Sequence, residues 1–120
     1  DDHVSLEIDP SSLEASPRQA GNLALVFNEL ATNTLKHALP VAGKVVIRVS
    51  LLDLGEDIGL VYGDNGPGYP AAVLAGASYG IGMDLLRRLV TETLRGQLSL
   101  VNDPGATARI VIKGEEKWRT

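Results

Sequence analysis

The sequence predicts an α+β two-layer sandwich: a mixed, mostly antiparallel sheet with two helices packed on one face. Three observations carry that expectation. The patterns run strand, long helix, hairpin, loop, helix, hairpin; the strands come mostly in adjacent pairs; and each helical segment has one apolar side. The 120 residues suit one domain spanning 1–120, and a chain of that size buries roughly two-thirds of its unfolded surface. With 44% hydrophobic and 22% charged residues, the balance is that of an ordinary folded domain and not of a fibre or a disordered tail.

Each element has its own signal. Val4, Leu6 and Ile8 alternate with polar neighbours, which predicts a short strand with one face buried. Ser16-Pro17-Arg18-Gln19 joins an N-cap serine to a proline at the first helical position and a glutamine three residues after the cap. Nothing breaks that helix before Leu39-Pro40, so residues 17 to 38 are expected as one helix, with Leu23, Phe27, Leu30, Thr34 and Ala38 towards the sheet. Residues 44–52 and 57–64 are rich in β-branched side chains around Leu54-Gly55-Glu56 and form an expected hairpin of central strands. Residues 65–80 hold four glycines and two prolines and are expected to be a short, flexible lid without apolar anchors. Leu85, Leu86, Leu89, Val90 and Leu94 form the stripe of a second helix. Two strands follow, near 97–102 and 106–112, joined by Asp103-Pro104-Gly105, and residues from about 113 to 120 read as a charged tail or linker.

Composition excludes several functions. Fifteen acidic against eleven basic side chains leave a net charge of -4, so the general attraction of a basic domain to phosphate backbones or anionic lipid is missing. No nucleic acid partner and no direct membrane contact are expected. The absence of cysteine removes disulfides, thiolate zinc sites and a cysteine nucleophile. No run approaches the ~20 apolar residues that span a bilayer, and the first residues lack the pattern of a signal peptide, so a cytoplasmic location is expected. The chain starts inside a strand-like segment and reads as a piece of a longer protein, whose remainder could be membrane-anchored.

Four segments carry chemistry. At roughly 100° per residue, Glu29, Asn33 and Lys36 fall within about 60° of one another on the long helix. One reading is a solvated polar face. The other is a kit for a metal-bound phosphate: an Asn33 amide oxygen for magnesium, a Lys36 ammonium for a phosphate oxygen, and a Glu29 carboxylate to accept a proton from a nucleophile. Asp64 ends a strand in register with Ile58, Leu60 and Tyr62, so its carboxylate points towards the core side. It either starts a turn or accepts a hydrogen bond from the amino group of adenine, where guanine would present an acceptor. Gly66 and Gly68 permit close approach of a flat ring, and Gly80-Ile81-Gly82-Met83 opens into a helix whose free amides suit phosphates or simply form a hinge.

Together, NELATNTLKHA (28–38), DNGPG (64–68), GIGM (80–83) and GATARIVI (105–112) resemble, in order, the nucleotide-binding domain of the GHKL superfamily, which spans gyrases, chaperones, histidine kinases and mismatch-repair proteins. The likeness is greatest to the catalytic ATP-binding domain of bacterial sensor histidine kinases and runs from residue 4 to about 112. It implies a Bergerat-type sandwich holding ATP and magnesium between the long helix, the sheet and the lid. It also implies roles: Asn33 for magnesium; Lys36 for phosphate; His37 for ribose or base; Asp64 as adenine reader; Gly66 and Gly68 beside the base; Gly80, Gly82 and Met83 in the phosphate loop; Thr107 supporting Asp64 through water; and Glu29 at the general-base position.

Two departures stand out. Only 15 residues separate Asp64 from Gly80, none of them Arg or Lys, and Tyr62 replaces a usual aliphatic residue. The implied enzyme is a protein-histidine kinase domain that passes the γ-phosphoryl to a histidine on a separate helical dimerisation and phosphoacceptor domain, with a response regulator downstream. His3 reads as a surface residue and His37 belongs to the nucleotide box, so the acceptor histidine is expected elsewhere. An anti-sigma-factor type serine kinase and a non-catalytic nucleotide-binding regulatory module are the alternatives.

Overall fold

The structure, a computed structural model, describes residues 3–113, and the tail expected at the C-terminus lies outside the described residues from 114 onward. Its elements are β1 (Val4–Ile8), α1 (Pro17–Asn33), α2 (Leu39–Ala42), β2 (Val45–Asp53), β3 (Asp57–Asp64), α3 (Ala71–Leu74), α4 (Ile81–Arg88), β4 (Gln97–Asn102) and β5 (Ala106–Lys113). The five strands form one sheet in the order β1-β2-β3-β5-β4. β1 pairs with β2 in parallel and every other pairing is antiparallel, the mixed and mostly antiparallel sheet expected.

Alternation builds the core. Ile47, Leu60, Tyr62, Ala108 and Ile110 point to one side because residues two apart in a strand share a face. Val26 and Leu30 of α1 and Met83 and Leu86 of α4 pack onto that side, all with exposures of 1% or less. Each such side chain contributes about 1.5–3 kcal/mol relative to its exposed state. The second helix continues past Arg88 through a π-helical segment, Leu89–Thr93, which adds buried Val90.

The α1 start matches its signal: Ser16 Oγ accepts from the Gln19 amide at 3.2 Å and Pro17 occupies the first turn. Its end differs. The helix does not stop at Ala38 but widens into a π-helical turn, Thr34–Ala38, closed by the Leu39 amide donating to the Thr34 carbonyl, and continues as α2 to Ala42. Pro40, which has no amide to donate, follows directly after that turn, in the first turn of α2.

Two further expectations are corrected. β1 does not bury a face: Leu6 is 50% and Ile8 64% exposed. Their register opposite Ile47 and Val49 puts them on the helix side of the sheet, but β1 is the edge strand and α1 covers β2 and β3 instead. The second is the lid, which has anchors. Residues 65–80 include the short helix α3, and Tyr69 and Val73 are buried in the core at 6% and 5% exposure. Among the described residues, no helix is long and apolar enough to cross a membrane.

Candidate functional site

A cavity lies where the C-terminal half of α1 meets the end of β3 beneath the lid. Its floor is a hydrogen-bonded chain built from Asp64. The carboxylate is 8% exposed, and burying it without partners would be costly. Thr34 Oγ1 donates to Oδ2 at 2.9 Å, and the Gly66 amide donates to Oδ1 at 2.9 Å. Having given its one proton to Asp64, the Thr34 hydroxyl accepts from the Tyr62 phenol at 2.8 Å. Burial raises the Tyr62 phenol well above its usual range, against a smaller opposing pull from Thr34, and the Asp64 charge adds to the rise. Tyr62 therefore stays a donor at neutral pH. Its ring meets Phe27 edge to face at 5.9 Å, so the departure from an aliphatic residue serves both the core and the polar chain.

Two of the four acceptor positions of an ionised carboxylate are thereby filled, which leaves Asp64 able to accept a further donor from the cavity it lines. Beside it, Asn33 is buried at 9% exposure, and its Nδ2 has no hydrogen-bond partner. A buried N–H donor without a partner costs about 1–3 kcal/mol, and an acceptor oxygen from a ligand or a water satisfies it.

The lid closes the other side. Asn102 grips the Tyr69 backbone at both ends, accepting from its amide at 2.7 Å and donating to its carbonyl at 3.1 Å. Gly68, at φ +90°, carries the chain into that clamp, and a Cβ there would stand 2.6 Å from the Asn102 amide oxygen. Tyr79 lies at 4.1 Å from His37, ring centre to ring centre, and meets Tyr69 edge to face at 5.7 Å. Burial raises the Tyr69 and Tyr79 phenols, and the Asp64 charge adds to both. With these rings in place the cavity has about 10 Å³ of free volume, room for a single water.

The expected site residues divide accordingly. Asn33, His37, Asp64 and Gly68 line the cavity. Lys36 is exposed in the π-helical turn and is not among the residues lining the cavity. Met83 is fully buried in the core, so its side chain is a packing group and not part of a phosphate loop. A Cβ on Gly66 would meet Ala38 and one on Gly68 would meet Asn102, so packing requires glycine at both positions. Gly80 caps α4 and Gly82 lies in its first turn, under the Glu29 carboxylate: a Cβ on Gly82 would stand 2.5 Å from Glu29 Oε2. The Thr107 hydroxyl donates to the Gly105 carbonyl at 3.0 Å, and the threonine in direct contact with Asp64 is Thr34. His3, exposed as expected, bonds through Nδ1 with the Gly43 carbonyl.

Thr34, Tyr62, Tyr69, Tyr79 and Asn102 are the cavity and clamp residues the sequence reading did not assign to the site. A threonine within an apolar helical stripe, facing a strand that ends in aspartate, was the available signal for the first. Two tyrosines in a loop otherwise made of small residues were the signal for the lid rings.

Comparison with known proteins bears on this arrangement. Residues 19–116 match the family described as histidine kinase-, DNA gyrase B-, and HSP90-like ATPases. No curated protein matches the sequence. Among solved structures, the histidine kinase domain of the Erythrobacter litoralis EL346 blue-light activated histidine kinase is 20% identical, covers 92% of this chain and 54% of its own, and gives a TM-score of 0.77. The catalytic domain of histidine kinase ThkA is 16% identical over 92% of this chain and 77% of its own, with a TM-score of 0.70. Acinetobacter baumannii histidine kinase AdeS is 16% identical over 93% of this chain and 55% of its own, with a TM-score of 0.69. At these identities the likeness is one of fold, and the chain spans about half of the Erythrobacter domain. The sheet with helices on one face is shared with these kinase domains, and the sequence match runs through α1, the lid and β5: the chain belongs to the histidine kinase-, DNA gyrase B- and HSP90-like ATPase family.

Proposed function

We propose that this domain binds ATP with magnesium in the cavity between α1, β3 and the lid, and donates the γ-phosphoryl to a histidine on a separate helical domain in two-component signalling. The observation that carries the reading is the Asp64 carboxylate, fixed by Thr34 and Gly66 with acceptor positions left over, beside the unpartnered Asn33 amide. A buried fixed acceptor suits the amino group of adenine and rejects the carbonyl of guanine.

The residues present fit magnesium as this class of site uses it. Among the described residues there is no cluster of three His, Cys, Asp or Glu that could cage a metal, and the Asn33 amide oxygen is the kind of single protein ligand that magnesium takes alongside phosphates and waters, while its unpartnered Nδ2 is a donor suited to a phosphate oxygen. When bound, magnesium neutralises phosphate charge and orients the transferring group. Asn33 supplies the ligand position, and Asp64 orients the base. Glu29, half-buried over Gly82 at the start of α4, stands one turn before Asn33 and is the group in place to hold a proton of the attacking nucleophile.

The test uses the chain with a helical acceptor domain supplied in trans and radiolabelled γ-phosphate. Transfer to an acceptor histidine is expected, and Glu29→Gln should slow it about 10²- to 10⁴-fold with little change in ATP affinity. Transfer at the unaltered rate would remove Glu29 from the chemistry. Asn33→Ala should weaken ATP binding chiefly when magnesium is present, and an equal loss in its absence would remove the magnesium assignment.

A second reading, a regulatory module that binds nucleotide without transferring phosphate, draws on the exposed Lys36 and the absence of any Lys or Arg among the residues lining the cavity. It predicts ATP binding with no labelled acceptor under any condition.

A further inference from the structure

We propose that Tyr79 plugs the nucleotide cavity of the ligand-free domain, so that the ring must be lifted off His37 before nucleotide can enter. This rests on the nucleotide-binding reading above and adds a gate to that site. The free volume of about 10 Å³ admits one water, and no purine ring fits in it. Something lining the cavity has to move.

The lining differs in what holds each part. Asp64 is fixed by Thr34 and Gly66, and Tyr62 by its phenol and its burial at 2% exposure. Tyr69 is held through both backbone groups by Asn102, and Val73 is anchored in the core. Around Tyr79 the ties are exposed. The Ser78 hydroxyl reaches the Asp84 carboxylate oxygens at 3.2 and 3.1 Å and accepts from the Gly80 amide at 3.3 Å, all at the surface, where water replaces such bonds at little cost. The Ala77 amide donates to the Ala72 carbonyl at 2.9 Å and holds that end of the segment, so the part free to swing is Ser78 and Tyr79, followed by Gly80 at positive φ. What holds the ring inward is its contact with His37 at 4.1 Å and with Tyr69 at 5.7 Å.

A plug of this kind lowers apparent affinity by the fraction of molecules that are open, and removing the ring raises that fraction. The worth of an aromatic pair corresponds to about a 2- to 10-fold change in an equilibrium constant. The experiment measures equilibrium binding and stopped-flow association of N-methylanthraniloyl-ADP to the 120-residue chain and to the variants Tyr79→Ala, Tyr79→Phe and Ser78→Ala. Tyr79→Ala should bind about 2- to 10-fold more tightly and associate faster. Tyr79→Phe keeps the ring and should behave as the parent chain, and so should Ser78→Ala, whose exposed bonds water replaces. Tyr79→Ala that binds as the parent does, or more weakly, overturns the plug while leaving the nucleotide reading intact. Failure of the parent chain and all variants to bind overturns the nucleotide reading and the plug with it. Should Tyr79→Ala not fold by circular dichroism, Tyr79→Leu, which removes the ring but keeps apolar bulk, decides: tighter binding supports the plug and unchanged binding opposes it.

Discussion

The floor and the cover of the cavity are built from different materials. The floor joins the Tyr62 phenol, the Thr34 hydroxyl and the Asp64 carboxylate, all buried and each bonded to the next. The cover is anchored at its Tyr69 end and tied by surface hydrogen bonds at its Tyr79 end. Buried networks rigidify because leaving any member unpaired is expensive, whereas exposed bonds exchange with water and set no geometry. The difference separates reading from admission: the floor holds a fixed acceptor, and the cover decides when a ligand reaches it.

The comparison can be broken most severely under the floor. Met83→Ala should cost about 2–5 kcal/mol of stability in urea unfolding while leaving the nucleotide affinity of the folded protein unchanged, since Met83 packs in the core and does not line the cavity. A large loss of affinity without loss of stability would return Met83 to the site. Next in size, Asp64→Ala strands the Thr34 hydroxyl and the Gly66 amide and should cost about 1–3 kcal/mol, together with most of the ATP affinity. Thermal unfolding and calorimetry separate the two effects.

Alkaline titration reads the floor and its anchor together. Burial raises the phenols of Tyr62 and Tyr69, so above about pH 10 the unfolded chain loses protons that the folded chain keeps. The stabilisation is complete below the unfolded value and is lost as pH rises. Each tyrosine should contribute a fall of about 1.4 kcal/mol per pH unit above pH 10, which Tyr62→Phe should reduce in slope. A flat profile from pH 9 to 11 would contradict the burial of both phenols. The smallest effect belongs to the cover: Ser78→Ala should change stability by no more than about 0.5 kcal/mol, because its bonds are exposed.

What the sequence revealed followed the same division. The strands, the Ser16 cap and the helix opening at Gly80 were legible because each depends on neighbours within a turn or on strict alternation. Asn33, His37 and Asp64 were legible as cavity residues because their motifs are local. The widened turn that carries Lys36 was not legible because hydrophobic periodicity assumes one spacing throughout. Leu6 and Ile8 carried the right alternation, but whether a helix reaches an edge strand is settled by tertiary packing. The Asn102 clamp joins residues 33 apart, and no short pattern announces it. In the lid, the glycine content concealed two tyrosines and a valine that hold it closed.

The central claim is that Asp64 is a rigid, preformed acceptor facing the cavity. Calorimetric titration of the chain with ATP and with GTP, each with magnesium, tests it most directly. The account predicts that ATP binds at least about tenfold more tightly than GTP, because guanine would set an acceptor against a fixed buried acceptor and leave both unpaired. Equal affinities for the two nucleotides would contradict it.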